Sequence, residues 1–340
     1  MNTLIRNLLT MLALLTASAG AYADTFYVAN AGTNKVMQFT ASGVGSVFAT
    51  TSSGSWGLAI DHVGNVYVAT PGDNAIRKYS PTGSDLGVFA TLGSSGVSGP
   101  TGLAFDSAGN LYASDPNDNS IKKFTSSGVG SVFANTGLFY PIGLAFDNSG
   151  NLYVANGNAH NIRKFSATGI DLGIFASSGG TSPYGLAFDS TGNLYVANNG
   201  SGGIVKITPA GTGSVFANPS PGTPIGVAFD YEGNLYASYS QINTIKKFSS
   251  AGDDLGDFAS AGLNGPMLIA IKIEPPPTLL IAPSGNQSVL FWPASGTNYI
   301  LQSTTNLTSP DWITATDAVS VIAFTVTNTS PARFFRLVPP

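Results

Sequence analysis

Between Gly102 and Pro141 the apolar residues fall into four short runs: Leu103-Ala104-Phe105, Leu111-Tyr112-Ala113, the flanks of Ile121-Lys122-Lys123-Phe124, and Val132-Phe133-Ala134. None is long enough for an amphipathic helix. Each is bounded by Gly, Asn, Asp or Ser, so the pattern predicts four short strands joined by turns. The first run is small and apolar enough for a buried inner strand. Between it and the second stands Asp106-Ser107-Ala108-Gly109-Asn110. This reads as a tight turn whose Gly takes a positive φ and whose Asp accepts hydrogen bonds from turn amides.

The pattern recurs along the chain. Tetrads of the GLAF type begin at Gly57, Gly102, Gly143, Gly185 and Gly226, with a degenerate copy at Leu268, in steps of 45, 41, 42, 41 and 42 residues. A period of about 40 to 45 residues with four strands per unit predicts an all-β propeller with one blade per unit. The second-strand run occurs six times, ending at Asn30, Thr70, Asp115, Asn156, Asn198 and Tyr239. The first-strand run also occurs six times, but its first copy belongs to the second unit. The chain therefore enters at Thr25 with the outer three strands of a blade and supplies the missing inner strand at the far end, as Leu268 to Ile273. The expected architecture is a six-bladed β-propeller closed by a C-terminal inner strand.

The motif G-[LV]-A-[FI]-D-x-x-G-N-[LV]-Y stands at Gly57, Gly102, Gly143, Gly185 and Gly226. A proline precedes the leading glycine position by two residues at Pro100, Pro141, Pro183, Pro224 and Pro266, with Ser55 in its place once. In these residues the chain resembles NHL-repeat propellers, over about residues 25 to 273. The resemblance implies fold more than activity, because one architecture hosts many functions. Relatives of the streptogramin-lyase type pair a His with a Glu beside a metal. Lyases acting on amidated-peptide precursors use a group of metal-binding histidines, and gluconolactonase-like propellers hold a divalent ion with Glu, Asn and Asp in the channel mouth.

Outside the repeat, residues 1–23 read as a secretory signal: Arg6 gives a positive start, Leu8 to Ala17 an apolar stretch, and Ala21-Tyr22-Ala23 a cleavage site. The expected location is secreted, whether periplasmic, cell-surface or extracellular. The propeller occupies residues 24–273. The proline run in residues 274–277 marks a semi-rigid linker. Residues 278–340 abandon the repeat but keep short apolar runs at Leu279-Leu280-Ile281, Val289 to Trp292, Tyr299 to Gln302, Val319 to Ala323 and Phe334 to Leu337. They predict a small antiparallel β-sandwich that resembles a trimmed fibronectin type III module.

Composition narrows the chemistry. In 340 residues there are 41 Gly and 20 Pro, 43% are hydrophobic and only 9% charged, which suits short strands with tight turns and a packed core. The absence of cysteine excludes disulfides and thiolate chemistry. A net charge of −4 provides no basic footprint for nucleic acid. Paired cations on the third strands, such as Arg77-Lys78 and Lys122-Lys123, read as solvated outer positions, with a polyanion-binding ring as the competing reading.

The residues that carry chemistry in the relatives are scarce. The only histidines are His62, in the turn after Asp61, and His160, in a loop on the opposite face; the only glutamates are Glu232, in another such turn, and Glu274, in the linker. His160 and Glu232 thus fall on opposite faces, so a His–Glu metal pair is not assembled. The turn aspartates Asp61, Asp106, Asp147, Asp189 and Asp230 recur in every hairpin, as a fold determinant does and a catalytic site does not. The spacing Asp115-x-Asn117-x-Asn119 opens like a calcium loop, but Ser120 replaces its Gly and Ser126 its terminal Glu. Asp115, Asn117 and Asp118 are the candidate ligands for a divalent cation such as calcium; no other cofactor is expected.

Where the repeat breaks its own symmetry, a site is most legible. The face that bears the loops between second and third strands is called the top. There the residue before each first-strand glycine is Trp56, Thr101, Ile142, Tyr184 or Ile225, with Met267 before Leu268. With the second-strand ends, this gives Trp56, Asp115, Asn156, Tyr184, Asn198 and Tyr239 as candidate ligand-binding residues for a carbohydrate or protein partner. The alternative reading is that these residues plug the channel and cap its loops. The expectation is a monomeric, non-catalytic binding or scaffold protein without a membrane span after signal cleavage. The alternatives are a metal-dependent lactonase or lyase and a structural protein of the cell envelope.

Overall fold

The computed structural model describes residues 24–273, except 93–98, 179, 201–202 and 219–220, and the backbone of six strands between 280 and 338. The signal and linker readings lie outside the described residues.

Residues 24–273 form six four-stranded antiparallel sheets arranged as a six-bladed β-propeller. Blade one runs outward from the axis as Pro266–Lys272, Thr25–Asn30, Lys35–Phe39 and Gly45–Thr50. Blade two is Leu58–Ile60, Val66–Thr70, Ala75–Tyr79 and Asp85–Thr91. Blades three to six follow, from inner to outer strand: Leu103–Phe105 to Gly130–Ala134, Pro141–Phe146 to Asp171–Ser177, Pro183–Phe188 to Gly213–Ala217, and Val227–Phe229 to Asp254–Ala259. The predicted clasp is present: Thr25 pairs with Lys272, Phe26 with Ile271, Tyr27 with Ala270 and Val28 with Ile269. It begins two residues earlier than the pattern predicts, at Pro266.

The core lies between blades. Each second-strand tyrosine packs edge-on against a phenylalanine of its own outer strand and, in blades two to five, against one from the next blade's inner strand, as Tyr112 does with Phe133 and Phe146 at 4.9 and 4.8 Å. Aromatic edge contacts of this kind contribute about 0.5–1.5 kcal/mol beyond burial. Six apolar clusters result, one at each blade interface.

Near the axis the inner strands approach backbone to backbone. A Cβ on Gly57 would lie 2.0 Å from Thr101 O, one on Gly102 2.0 Å from Ile142 O, and one on Gly143 1.9 Å from Tyr184 O. Here glycine is required for close approach. Leu268, which takes the glycine position in the clasp strand, completes the circle by donating its N–H to Trp56 O at 3.2 Å.

The residues after Ile273 belong to a second compact unit. Its described strands form two three-stranded sheets, Leu280–Ser284, Gln287–Phe291 and Ala323–Thr327 in one, and Ile313–Thr316, Ile300–Thr304 and Phe334–Val338 in the other. The strand at Ile313–Thr316 is one the apolar runs did not predict. No helix among the described residues is long and apolar enough to cross a membrane.

Candidate functional site

On the bottom face the repeated motif closes on itself. Asp106 Oδ1 accepts the N–H groups of Ala108 at 3.0 Å and Asn110 at 2.8 Å, while Oδ2 accepts from Asn110 Nδ2 at 2.8 Å and Tyr112 OH at 3.2 Å. Lys123 Nζ stands 3.6 Å from the same carboxylate and 5.1 Å above the Tyr112 ring. The same set of Asp, Asn, Tyr and Lys recurs in blades two, four, five and six. Burial works against ionisation of Asp106, Asp147 and Asp189, yet the hydrogen bonds, foremost from the paired Asn, hold all three below the ordinary carboxylate range. The turn aspartates are therefore occupied by the fold.

The third-strand cations are likewise spent inside their blades. Arg77 pairs with Asp85 at 2.7 Å, Arg163 with Asp171 at 2.6 Å, Lys122 with Asp118 at 3.4 Å and Lys246 with Asp254 at 3.2 Å. Each lysine beside them faces its turn aspartate, which argues against a free basic ring.

On the top face the six candidate residues divide into two sets. Trp56 and Tyr184, from blades two and five, pack on one apolar cluster with Ile225 and Met267. Ile142, Ile225 and Met267 are buried, so side chains fill the mouth at this level while Trp56 and Tyr184 keep partial exposure. Burial pushes the Tyr184 phenol up, and nearby Tyr140 adds to the effect.

Asp115, Asn156, Asn198 and Tyr239 are at most 1% exposed and lie beneath the loops, not in the mouth. Asn156 holds the loop that enters its blade: its Oδ1 accepts from Phe139 N at 2.5 Å and its Nδ2 donates to Gly137 O at 3.0 Å. Asn30 clips the equivalent loop of blade one through Asn264 N and Gly262 O. Asn198 donates to Ser178 O at 2.8 Å. Tyr239 fills the same position with a ring, and burial raises its phenol strongly.

Asp115 places a carboxylic acid at this position. Its Oδ1 accepts the Asp118 N–H at 3.2 Å; among the described residues its Oδ2 is buried without a partner, as are the Oγ of Ser120 on the facing strand, Asn198 Oδ1 and the Tyr239 hydroxyl. Burial, with Asp118 nearby, pushes this carboxyl up. Asn117 and Asp118 are exposed. Among the described residues no group of three or more His, Cys, Asp or Glu side chains is arranged to hold a metal ion.

His160 is a structural substitute. It stands at φ 54°, where Asn119 and Asn243 stand in other blades, and its Nδ1 accepts the N–H of Ser182 at 3.0 Å, as Asn119 Oδ1 accepts Tyr140 N and Asn243 Oδ1 accepts Gly265 N.

Two loops outside the periodic runs are near copies of each other. The loops Gly137-Leu138-Phe139-Tyr140-Pro141 and Gly262-Leu263-Asn264-Gly265-Pro266 share one conformation, with Tyr140 at φ 60° and Gly265 at φ 62°. They also share hydrogen bonds: Gly157 N to Tyr140 O and Asn158 N to Phe139 O in one, Ala31 N to Gly265 O and Gly32 N to Asn264 O in the other. Asn and Gly suit this backbone; a bulky residue in the left-handed region costs about 1–2 kcal/mol. Blade five meets the same backbone with a small residue, Ser182 at φ 55°, whereas blade four places Tyr140 there and leaves Phe139 55% exposed on the top face. The common frame G-L-x-x-P was the signal in the sequence.

With this geometry the molecule belongs to a recognisable class. A model of the NHL repeat matches residues 140–165, the inner three strands of blade four. The chain is a six-bladed β-propeller carrying an NHL repeat. No curated protein matches it significantly. Among solved structures, a chain from a nidogen–laminin complex aligns with TM-score 0.65 and 22% identity, covering 73% of this chain and 98% of its own. Virginiamycin B lyase from Staphylococcus aureus aligns with TM-score 0.52 and 16% identity, covering 84% and 94%. A gluconolactonase from Xanthomonas campestris aligns with TM-score 0.53 and 19% identity, covering 65% and 85%. At these identities the likeness is one of fold, and these neighbours range from binding to lyase and lactonase functions.

Proposed function

We propose that the protein is an exported, non-catalytic binding or scaffold protein whose recognition surface is the top face of the propeller, with a carbohydrate or a protein as ligand. The observation that carries this reading is the loop of blade four. There the chain places Phe139 and Tyr140 on a backbone for which its own copy in blade one uses Asn264 and Gly265. An aromatic residue on an unfavourable backbone, with the exposed Phe139 beside it and the partly exposed Tyr184 near, is what a contact surface requires and what folding alone does not. Trp56 extends the aromatic surface across the mouth. In this reading the C-terminal unit is a fibronectin type III-like sandwich. It serves as a spacer, or as an attachment module if the protein is structural in the cell envelope; deleting residues 278–340 and fractionating cells separates these roles.

Glycan and peptide arrays would identify the ligand. The decisive variant is the double substitution Phe139→Asn with Tyr140→Gly, which copies the blade-one loop. Its stability is expected to stay within about 1 kcal/mol of the parent, because a strained backbone is relieved and an exposed side chain removed. Ligand affinity is expected to fall about 30-fold or more, as at an interface hot spot. Unchanged affinity would move the site away from this loop. Trp56→Ala should weaken the same ligand by a smaller factor, about 5- to 10-fold.

A second reading, a metal-assisted lactonase or lyase, is favoured by one feature: Asp115 Oδ2 and Ser120 Oγ, on facing strand positions, are both buried and without a partner among the described residues. It requires a stoichiometric divalent cation bound through Asp115, with Asn117 or Asp118 as further ligands, which elemental analysis of the purified protein measures directly.

A further inference from the structure

The six outer strands alternate between two designs. Each is hydrogen-bonded on one side only, to the third strand of its own blade. In blades two, four and six the strand opens with Asp-Leu-Gly: Asp85, Asp171 and Asp254 each accept the N–H of the glycine two residues on, at 2.7, 2.9 and 2.8 Å, and pair with a third-strand cation. Those glycines, Gly87, Gly173 and Gly256, lie at φ 93°, 89° and 96°, and each of these strand pairs carries two register shifts. A bulge and a carboxylate at the free edge are devices that discourage another strand from adding to it.

Blades one, three and five lack the edge carboxylate and carry the weaker irregularity. Their outer strands Gly45–Thr50, Gly130–Ala134 and Gly213–Ala217 all begin Gly-Ser-Val-Phe-Ala, with neither charge nor proline, and each pair carries one register shift. Val47, Val132 and Val215 are 51%, 54% and 72% exposed. A protein in which 9% of residues are charged spends carboxylates on three edges and none on the intervening three.

We propose that these three uncharged edges are self-association surfaces, and that their occupant is the same Gly-Ser-Val-Phe-Ala edge of a second copy of this chain, paired antiparallel. The charge pattern selects this partner: an uncharged edge meets another without repulsion, whereas two Asp-Leu-Gly edges would oppose carboxylates. Because the segment is the same on both sides, pairing about a twofold axis is self-complementary and sets valine against valine. The edges recur every second blade, so one chain offers three such contacts and assembly need not stop at a dimer. This departs from the monomer expected from the sequence.

The chain has no cysteine, so one introduced thiol reports one contact. In the full mature chain, Val47→Cys, Val132→Cys and Val215→Cys are compared under mild oxidation with Leu86→Cys, Leu172→Cys and Leu255→Cys, positions of similar exposure on the guarded edges. Facing positions of an antiparallel pair are close enough for a disulfide. The expected result is disulfide-linked dimer from the valine set at least about tenfold above the leucine set, and a parent chain whose mass by light scattering rises with concentration. Changing all three valines to lysine should abolish that rise while leaving the β-sheet circular dichroism intact. A parent that stays monomeric, or equal cross-linking from both sets, would overturn the proposal.

Discussion

Gly143→Ala is expected to cost at least about 3 kcal/mol of stability. The backbone at Gly143 is not in the left-handed region, so alanine meets no conformational objection there. The cost is steric: the added Cβ would stand 1.9 Å from Tyr184 O and 3.3 Å from Gly185 Cα, and both neighbours are backbone. Backbone atoms cannot rotate out of the way as a flexible side chain can, so blades four and five must separate near the axis. Gly173→Ala supplies the contrast. Gly173 lies at φ 89° with open space around its Cβ position, so it should lose only about 1–2 kcal/mol from conformational strain. Urea unfolding of the two variants measures the difference. Equal losses would mean that the inner strands do not meet backbone to backbone near the axis.

The same ring explains what the sequence could reveal. A feature repeated in each blade is amplified by repetition, which is why the turn aspartates, the inner glycines and the clasp were readable from spacing alone. Asp106 and its counterparts were correctly read as fold determinants because a fivefold recurrence at one turn position has a structural cause. Side-chain direction at the second-strand ends was not readable in this way. Asn156, Asn198 and Tyr239 terminate on the top face in chain order, but whether they reach the mouth depends on the path of the loop above them, and the loops cover them. His160 was ambiguous for a related reason: only the hydrogen bond from Ser182 shows that it does the work of an asparagine. Phe139 and Tyr140 lay outside the periodic runs, so a motif built on those runs passed over them. The alternation of outer strands has a period of two blades and is invisible when blades are compared one at a time.

Asp115→Asn is expected to stabilise the protein by about 1–3 kcal/mol at neutral pH, a rare direction for a change at a buried residue. Blades one, four and five carry Asn at this position and use its amide as a loop clip, through Asn30, Asn156 and Asn198. Asp115 has no donor when ionised, and its buried Oδ2 has no partner among the described residues. Burial, reinforced by Asp118, raises its carboxyl above the ordinary value. Between the ordinary value and the raised one the folded chain holds a proton that the unfolded chain has released. The group's effect therefore turns against folding as pH rises through that window, and the full penalty stands above it. The variant lacks the ionisation, so its advantage should be present at neutral pH and should nearly vanish below about pH 3, where both forms are neutral. Urea unfolding at the two pH values measures this, in metal-free buffer and again with calcium. If calcium stabilises the parent and not the variant, Asp115 holds a cation and the second functional reading gains its metal. If calcium changes neither and the variant is the more stable at neutral pH, the carboxylate is an uncompensated charge inside blade three. A variant less stable than the parent in metal-free buffer would contradict the unpartnered geometry itself.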